Sequence, residues 1–326
     1  MSANNRPAAV IFGCKGLSLS QEERLFFKTV NPTGFIIFAR NIDNPEQVRT
    51  LCAELRSCTD RDDAPILIDE EGGRVARLQP PHWPVFPPAK TFGDLYEKNA
   101  RKARRACRDN FAKIAAELRK IGVNVDCAPV LDVPVAGANE KVVGDRPFSS
   151  KTSVIADLGA VACRALSDGG VLPIIKHIPG HGRATTDSHF ELPVVNESRD
   201  LLHKTDFKAF RALAKLSPWA MTAHLLYTAV DAEKPASLSR KVIDEIIRGD
   251  IGFDGFLICD DLSMKALKGD FADLTAQALD AGCDAVLHCN GDMAEMAKIA
   301  SAVRPLSDKA MERYRRGQAI LAARGR

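Results

Sequence analysis

The sequence predicts an α/β fold, a closed barrel of eight parallel strands with a helix after each. Three observations predict it. Short apolar runs recur eight times, and each is followed by a helical stretch. Most of these runs are apolar on both faces, as strands of a parallel sheet covered by helices must be. No internal repeat, low-complexity tract or shift in composition divides the 326 residues. Barrels of this kind form one unit at roughly 250 residues and above, so residues 1–326 read as a single (β/α)8 TIM-barrel domain. A doubly wound open sheet gives the same alternation, and the count of eight is what favours closure.

The strand candidates are residues 8–13, 34–39, 65–69, 123–128, 172–177, 220–225, 255–259 and 285–288. Between the first two, Ser18-Leu19-Ser20-Gln21-Glu22-Glu23 reads as a helix start whose hydroxyls cap free N–H groups. Asn44-Pro45-Glu46 places a cap before a proline at the first helical position. Val48, Leu51, Cys52 and Leu55 then keep the 3–4 spacing of a buried helix stripe. Residues 96–121 read as one helix. Ser239-Arg240-Lys241 opens another, ending near Gly249. Two connections exceed what a barrel needs: the proline-rich stretch 79–88, and 179–193, which holds much of the polar chemistry. Long loops after strands lie on the C-terminal face, where barrel active sites are built.

Composition narrows the function classes. With 45 basic and 42 acidic side chains the formal charge is +3, too small an excess for a nucleic-acid partner. The densest basic run, Arg101-Lys102-Ala103-Arg104-Arg105, reads as a solvated helix face. Nine cysteines without CxxC spacing read as reduced, buried small hydrophobes rather than a disulfide framework. No basic segment leads into a long apolar one at the N-terminus, and no run has the ~18 apolar residues of a membrane span. A cytoplasmic protein is expected, with a monomer as the default state.

Chemistry concentrates at the strand ends. Asp69-Glu70-Glu71 follows one apolar run, Lys176-His177 another, and Asp260-Asp261 a third, while Met221-Thr222-Ala223 leads into His224. Charged groups rarely stay at the ends of buried strands unless paired, and several such ends on one rim form a polar pocket. Each also has a plainer reading. Asp69 can cap a helix, Glu71 before two glycines reads as a solvated turn residue, and His224 reads as a hydrogen-bonded core histidine. By strict alternation only one of Asp260 and Asp261 points into the barrel mouth, and the apolar pattern does not say which.

The richest segment is the loop from Lys176 to His189. Gly180 and Gly182 let it bend, and Pro179 restricts its entry. Asp187 and His189, two apart, can face the same side, and a carboxylate on one imidazole nitrogen orients the ring for acid/base work. His177, His181 and His189 raise the question of zinc, but their spacings match no common ligand pair, so neither a metal nor another cofactor is expected.

Lys176-His177-Ile178-Pro179-Gly180-His181-Gly182, followed by Asp187-Ser188-His189, resembles the hallmark of the bacterial β-N-acetylglucosaminidases of glycoside hydrolase family 3. The similarity continues, in order, through Asp69-Glu70-Glu71-Gly72-Gly73-Arg74-Val75-Ala76-Arg77, Ala128-Pro129-Val130-Leu131-Asp132-Val133, Gly144-Asp145-Arg146 and Asp260-Asp261-Leu262-Ser263-Met264. The resemblance implies a retaining exo-glycosidase with Asp260 as nucleophile and His189, held by Asp187, as acid/base. Most retaining glycosidases use two carboxyl groups instead. It further implies that Asp69, Arg77, Arg146, Lys176 and His177 bind sugar hydroxyls. The implied substrates are muropeptides carrying N-acetylglucosamine β-1,4-linked to 1,6-anhydro-N-acetylmuramic acid. Glucosidases of the family carry a second α/β domain that supplies their acid/base, and this chain ends soon after the eighth strand. Pro147 stands where the pattern more usually has serine. Two rival readings are a barrel lyase or aldolase with Lys176 as Schiff base, and a non-catalytic sugar-binding barrel.

Overall fold

The computed structural model describes residues 6–324 apart from Asp60, Glu140, Lys141 and His189. Eight strands close into a barrel: β1 (Ala8–Gly13), β2 (Pro32–Ile36), β3 (Ile66–Ile68), β4 (Val125–Asp126), β5 (Leu172–Ile178), β6 (Trp219–Thr222), β7 (Phe256–Asp261) and β8 (Ala285–His288). Each pairs in parallel with its neighbours in chain order, and Val10 opposite Val286 joins the last strand to the first. The predicted (β/α)8 barrel is therefore the fold. β1 and β8 have the predicted limits. β2 starts and stops earlier, because Ala39–Asn41 winds into a short 3-10 turn. β6 ends at Thr222, so His224 lies in the loop beyond its strand rather than on it.

The helices form where the local signals place them. Ser20 caps α1 (Gln21–Val30): its Oγ accepts from the Glu23 N–H at 3.1 Å, and Glu23 Oε2 accepts from the Ser20 N–H at 2.9 Å. Asn44 accepts from the N–H groups of Glu46 and Gln47 at the start of α2 (Pro45–Ser57). Val48, Leu51, Cys52 and Leu55 of α2 are buried, as their spacing predicts. The single helix expected over 96–121 is instead two, α3 (Ala89–Lys98) and α4 (Ala100–Lys120). Asn99 between them is extended, and its side chain caps α4 by accepting from the Lys102 N–H at 2.9 Å. Asparagine is as good a cap as it is a poor interior residue, so the break was encoded there.

Strand interiors fill the barrel. Ile66, Leu67, Ile68, Ile174, Ile175, Leu257 and Ile258 have no solvent exposure. Fully burying one such aliphatic side chain contributes roughly 1.5–3 kcal/mol. All nine cysteines are buried and unbonded. In the basic run, Arg104 pairs with Asp157 and Arg105 with Asp109 on the outer helix surface. Because every strand runs the same way, the polar ends of β3, β5 and β7 meet on one rim.

Candidate active site

On that rim a cavity of about 180 Å³ is lined by Asp69, Glu71, Arg77, Arg146, Lys176, His177, His181, Ser188, Asp260 and Asp261, with Phe38, Met221, Met264 and Cys289 among its apolar walls. The expected sugar-binding residues thus converge with Asp260, although together they come from four separate stretches of chain.

One wall is a ladder of alternating charge. Lys176 Nζ donates to Asp69 Oδ1 and forms an ion pair with Glu71 Oε1, both at 2.7 Å. Arg77 Nη2 donates to the other Asp69 oxygen at 2.9 Å. Arg146 grips Glu71 with two N–H groups, Nε to Oε2 at 2.9 Å and Nη2 to Oε1 at 2.8 Å. Glu71 is 4% exposed, so the solvated-turn reading of this residue is wrong. A carboxylate so deep persists because two cations face it. Burial would raise its pKa, yet Arg146 and Lys176 overcome this and hold it at about 2. Burial likewise opposes ionisation of Asp69 and Lys176, and in each the opposite charge prevails: Asp69 is held below the carboxylate range and Lys176 above the amine range.

The ladder stands on a small antiparallel hairpin, Glu70–Gly72 with Val75–Ala76. Gly72 has φ +85°, and a Cβ there would meet Pro87 O at 2.4 Å, so only glycine lets the turn lie against the proline-rich stretch. Glu70 faces away from the cavity. Its Oε2 accepts from the N–H groups of Arg77 and Leu78 at 2.8 and 3.0 Å, closing the hairpin end. Burial pushes its pKa up to about 7.

The second wall is built on Asp132. Its Oδ1 accepts from the backbone N–H groups of His177 and His181 at 3.1 and 2.7 Å, and its Oδ2 lies 2.8 Å from His177 Nδ1. The carboxylate thereby sets the imidazole orientation, which makes Nδ1 the donor and leaves Nε2 for the cavity. The loop reaches Asp132 because Gly182 packs on its neighbour: a Cβ on Gly182 would sit 2.1 Å from Val133 O. In the sequence Asp132 stands out only as part of the resembling stretch 128–133, with nothing local to mark its role. No local pattern connects it to a histidine 45 residues on.

The floor is the end of β7. Asp260 and Asp261 both line the cavity, against the expectation from alternation. The register of β7 on β8 shifts between Ile258 and Asp261, a bulge that breaks the two-residue period. Their chemistry differs all the same. Asp261 Oδ1 accepts from the N–H groups of Ser263 and Cys289, and Oδ2 accepts from Ser263 Oγ at 2.6 Å. Among the described residues, Asp260 receives only the Asp261 N–H at Oδ1, 2.8 Å. Burial would raise the Asp260 pKa, but His177, His224, that N–H and Lys176 lower it, so the group is a carboxylate at neutral pH. His224 is buried between Ser237 Oγ (2.6 Å from Nδ1) and the Asp261 carbonyl (3.0 Å from Nε2), the core-histidine arrangement. Desolvation lowers its pKa; the neutral ring then carries its proton on Nε2, toward the carbonyl.

Of the acid/base pair expected on the loop, His189 lies outside the described residues. Asp187 is half-buried, and its carbonyl accepts from the N–H groups of Phe190 and Glu191. Ser188 between the pair is 3% exposed and faces the cavity. Its Oγ is 3.2 Å from His181 Nε2, and its carbonyl accepts from the Ala266 N–H at 3.1 Å. The loop is thus fastened to the segment that follows Asp260. Burial and the neighbouring His177 depress the His181 pKa to about 4. Among the described residues no group of three or more His, Cys, Asp or Glu side chains is arranged to hold a metal ion.

Residues 10–318 match the Glycosyl hydrolase family 3 N terminal domain. The chain belongs to glycosyl hydrolase family 3. Family 3 relatives include a β-hexosaminidase of Methylobacillus flagellatus, 36% identical over 280 residues, 84% of this chain and 78% of the relative. A β-hexosaminidase of Alkalilimnicola ehrlichii is also 36% identical, over 86% of this chain and 80% of its own. Among solved structures, NagZ from Neisseria gonorrhoeae in complex with N-trifluoroacetyl-D-glucosamine superposes with TM-score 0.88 at 30% identity, covering 98% of this chain and 93% of that one. A family 3 β-N-acetylglucosaminidase from Paenibacillus sp. gives TM-score 0.85 at 32% identity; it matches 97% of this chain, which spans 61% of its length.

Proposed function

We propose that this family 3 chain is a retaining β-N-acetylhexosaminidase that removes terminal, non-reducing β-linked N-acetylglucosamine, all its catalytic groups coming from one barrel. The observation that carries the reading is Asp260: an ionised carboxylate at the end of β7, with an oxygen that no described residue engages, facing a cavity walled by the ladder and by His177. The cavity is smaller than the ~300–1,000 Å³ clefts of larger ligands, which suits one terminal ring.

In the first step a carboxylate oxygen of Asp260 attacks the anomeric carbon as the glycosidic bond breaks. His189, oriented by Asp187, protonates the departing oxygen. In the second, His189 takes a proton from water, whose oxygen attacks the same carbon and expels Asp260 as a carboxylate. Asp69, Arg77, Arg146, Lys176 and His177 hold the hydroxyls, through charged hydrogen bonds that strengthen as the oxocarbenium ion develops. The natural substrates are small soluble muropeptides with N-acetylglucosamine on 1,6-anhydro-N-acetylmuramic acid, hydrolysed during peptidoglycan recycling by a monomeric cytoplasmic enzyme. No described helix is long and apolar enough to cross a membrane.

The Schiff-base alternative requires a neutral Lys176 amine, and two carboxylates at 2.7 Å keep it charged. The deciding experiment is hydrolysis of a chromogenic β-N-acetylglucosaminide by wild type, Asp260→Ala and His189→Ala. Wild-type turnover that Asp260→Ala abolishes is expected. No wild-type turnover, or an Asp260→Ala variant as active as wild type, overturns the reading.

A further inference from the structure

We infer that Glu71 is a positioning residue for sugar recognition: it binds no hydroxyl itself but determines which N–H groups of Lys176 and Arg146 remain for the sugar. The inference rests on the proposed function, since it assigns a role within the same cavity.

The argument is a count of donors. The Lys176 ammonium has three N–H groups; one goes to Asp69, and its nitrogen is held 2.7 Å from Glu71 Oε1 as an ion pair. Arg146 has five; two go to Glu71, and one on Nη1 goes to the Val142 carbonyl at 3.3 Å. Lys176 is left with two N–H groups, held beside Glu71, and Arg146 with two, one on each terminal nitrogen. Glu71 faces both cations at once, accepting two N–H groups of Arg146 and pairing with Lys176 at 2.7 Å, so it fixes their separation as well as the orientation of Arg146.

Asp69 depends on the same arrangement. Lys176 and Arg77 each take one of its oxygens, and each oxygen keeps capacity to accept a hydroxyl proton. Without the Glu71 charge, Lys176 has Asp69 as its only paired carboxylate among the described residues and turns its donors wholly toward it. Arg146 loses its planar fork and reorients toward the remaining carboxylates, Asp132 and Asp69, whose charges already act on it. The recognition groups remain in the cavity but no longer point as a set. The position of Glu71 is dictated by the backbone, because Gly72 follows it at positive φ and Gly73 N–H donates to the Phe86 carbonyl at 2.8 Å.

The test uses the full chain, with aryl β-N-acetylglucosaminide as substrate and free N-acetylglucosamine as competitive inhibitor. Both KM and the inhibition constant are independent of how much of a preparation is folded, so a merely structural role leaves them unmoved. Glu71→Gln keeps the shape and removes the charge. It is expected to raise KM and the inhibition constant by roughly tenfold or more, the scale of one charged hydrogen bond. Glu71→Asp keeps the charge with a shorter reach and is expected to fall between wild type and Glu71→Gln; it also serves if the amide variant does not fold. In an Arg146→Gln background, Glu71→Gln is expected to add much less than it does alone, because the two act as one unit. A wild-type KM in either folded Glu71 variant, or full additivity with Arg146→Gln, overturns the inference while leaving the hydrolase reading intact. Absence of wild-type turnover overturns both.

Discussion

The Cys289 backbone N–H donates to Asp261 Oδ1 at 3.2 Å, tying the end of β8 to the second of two adjacent aspartates. With Ser263 donating to both Asp261 oxygens, that carboxylate is committed to holding the rim, which favours Asp260 as the proposed nucleophile. The two substitutions should therefore separate. Asp260→Asn should cut kcat by a factor on the order of 10³ or more, as loss of a nucleophile does elsewhere, with little change in Tm. Asp261→Asn should lower Tm, since hydrogen bonds to a charged group contribute about 1.5–3 kcal/mol, and should retain more turnover than Asp260→Asn. Thermal melts beside steady-state rates check both; equal losses of rate would mean that Asp261 shares the chemistry.

Glu70 predicts a pH dependence of opposite sign to that of its neighbours. Its pKa rises from 4.5 to about 7 on folding, so the native state binds a proton more tightly than the unfolded chain does. Its contribution to stability is full below pH 4.5 and is lost as pH rises to about 7, at a rate of about 1.4 kcal/mol per pH unit. Glu70→Gln, which cannot ionise, should gain Tm relative to wild type between pH 5 and pH 8. Glu71, lowered from 4.5 to about 2, contributes above pH 4.5 and loses that contribution as pH falls toward 2. A wild-type-minus-Glu70→Gln difference in Tm that does not fall with rising pH would contradict the Glu70 assignment.

Lys176 lies between Asp69 and Glu71, and its removal leaves two buried carboxylates short of a cation. Breaking a buried pair in this way costs about 3–5 kcal/mol. Lys176→Ala should thus lose stability as well as sugar binding, visible as a lower denaturant midpoint and a raised KM. Borohydride in the presence of substrate should trap no adduct on the wild-type lysine. A trapped adduct would reinstate the aldolase-type reading.

How much of this was legible beforehand follows from the range of the interactions. Asp69, Lys176, His177 and Asp260 announce themselves because each is a polar residue closing an apolar run, and burial of such a group needs a reason. The strands themselves were readable from period and composition. Glu71 was misread because a glutamate before Gly72-Gly73 looks like a solvated turn, and its partner Arg146 is 75 residues away. Arg77 and Arg146 sit in irregular segments, where only the resemblance pointed to them. The bulge that lets both Asp260 and Asp261 line the cavity comes from pairing with β8, which the local pattern of β7 does not contain. The break at Asn99 was local and could have been found, since asparagine is a better cap than a helix interior residue.

The loop that carries Asp187 and His189 yields the last prediction, because its two halves are held differently. Its first half is locked: Arg183 pairs with Asp206 at 2.8 Å and with Glu197 at 3.3 Å, and the Tyr227 hydroxyl donates to the Gly180 carbonyl. Its second half is tied to the cavity through Ser188, whose side chain meets His181 and whose carbonyl meets the Ala266 N–H. His181 is neutral above about pH 4, so the Ser188 contact is an ordinary neutral hydrogen bond. Such a bond is worth about 1 kcal/mol, roughly a fivefold change in an equilibrium. Ser188→Ala should therefore lower the docked fraction of the loop by about that factor without a measurable fall in Tm. The rate should fall most for substrates with poor leaving groups, which need the proton proposed to come from His189, and least for activated aryl glycosides. Steady-state kinetics across a series of aryl leaving groups measures this directly. An equal loss across the series would show that Ser188 acts on binding rather than on proton delivery. No loss at all would mean that the Ala266 tie alone suffices to dock the loop.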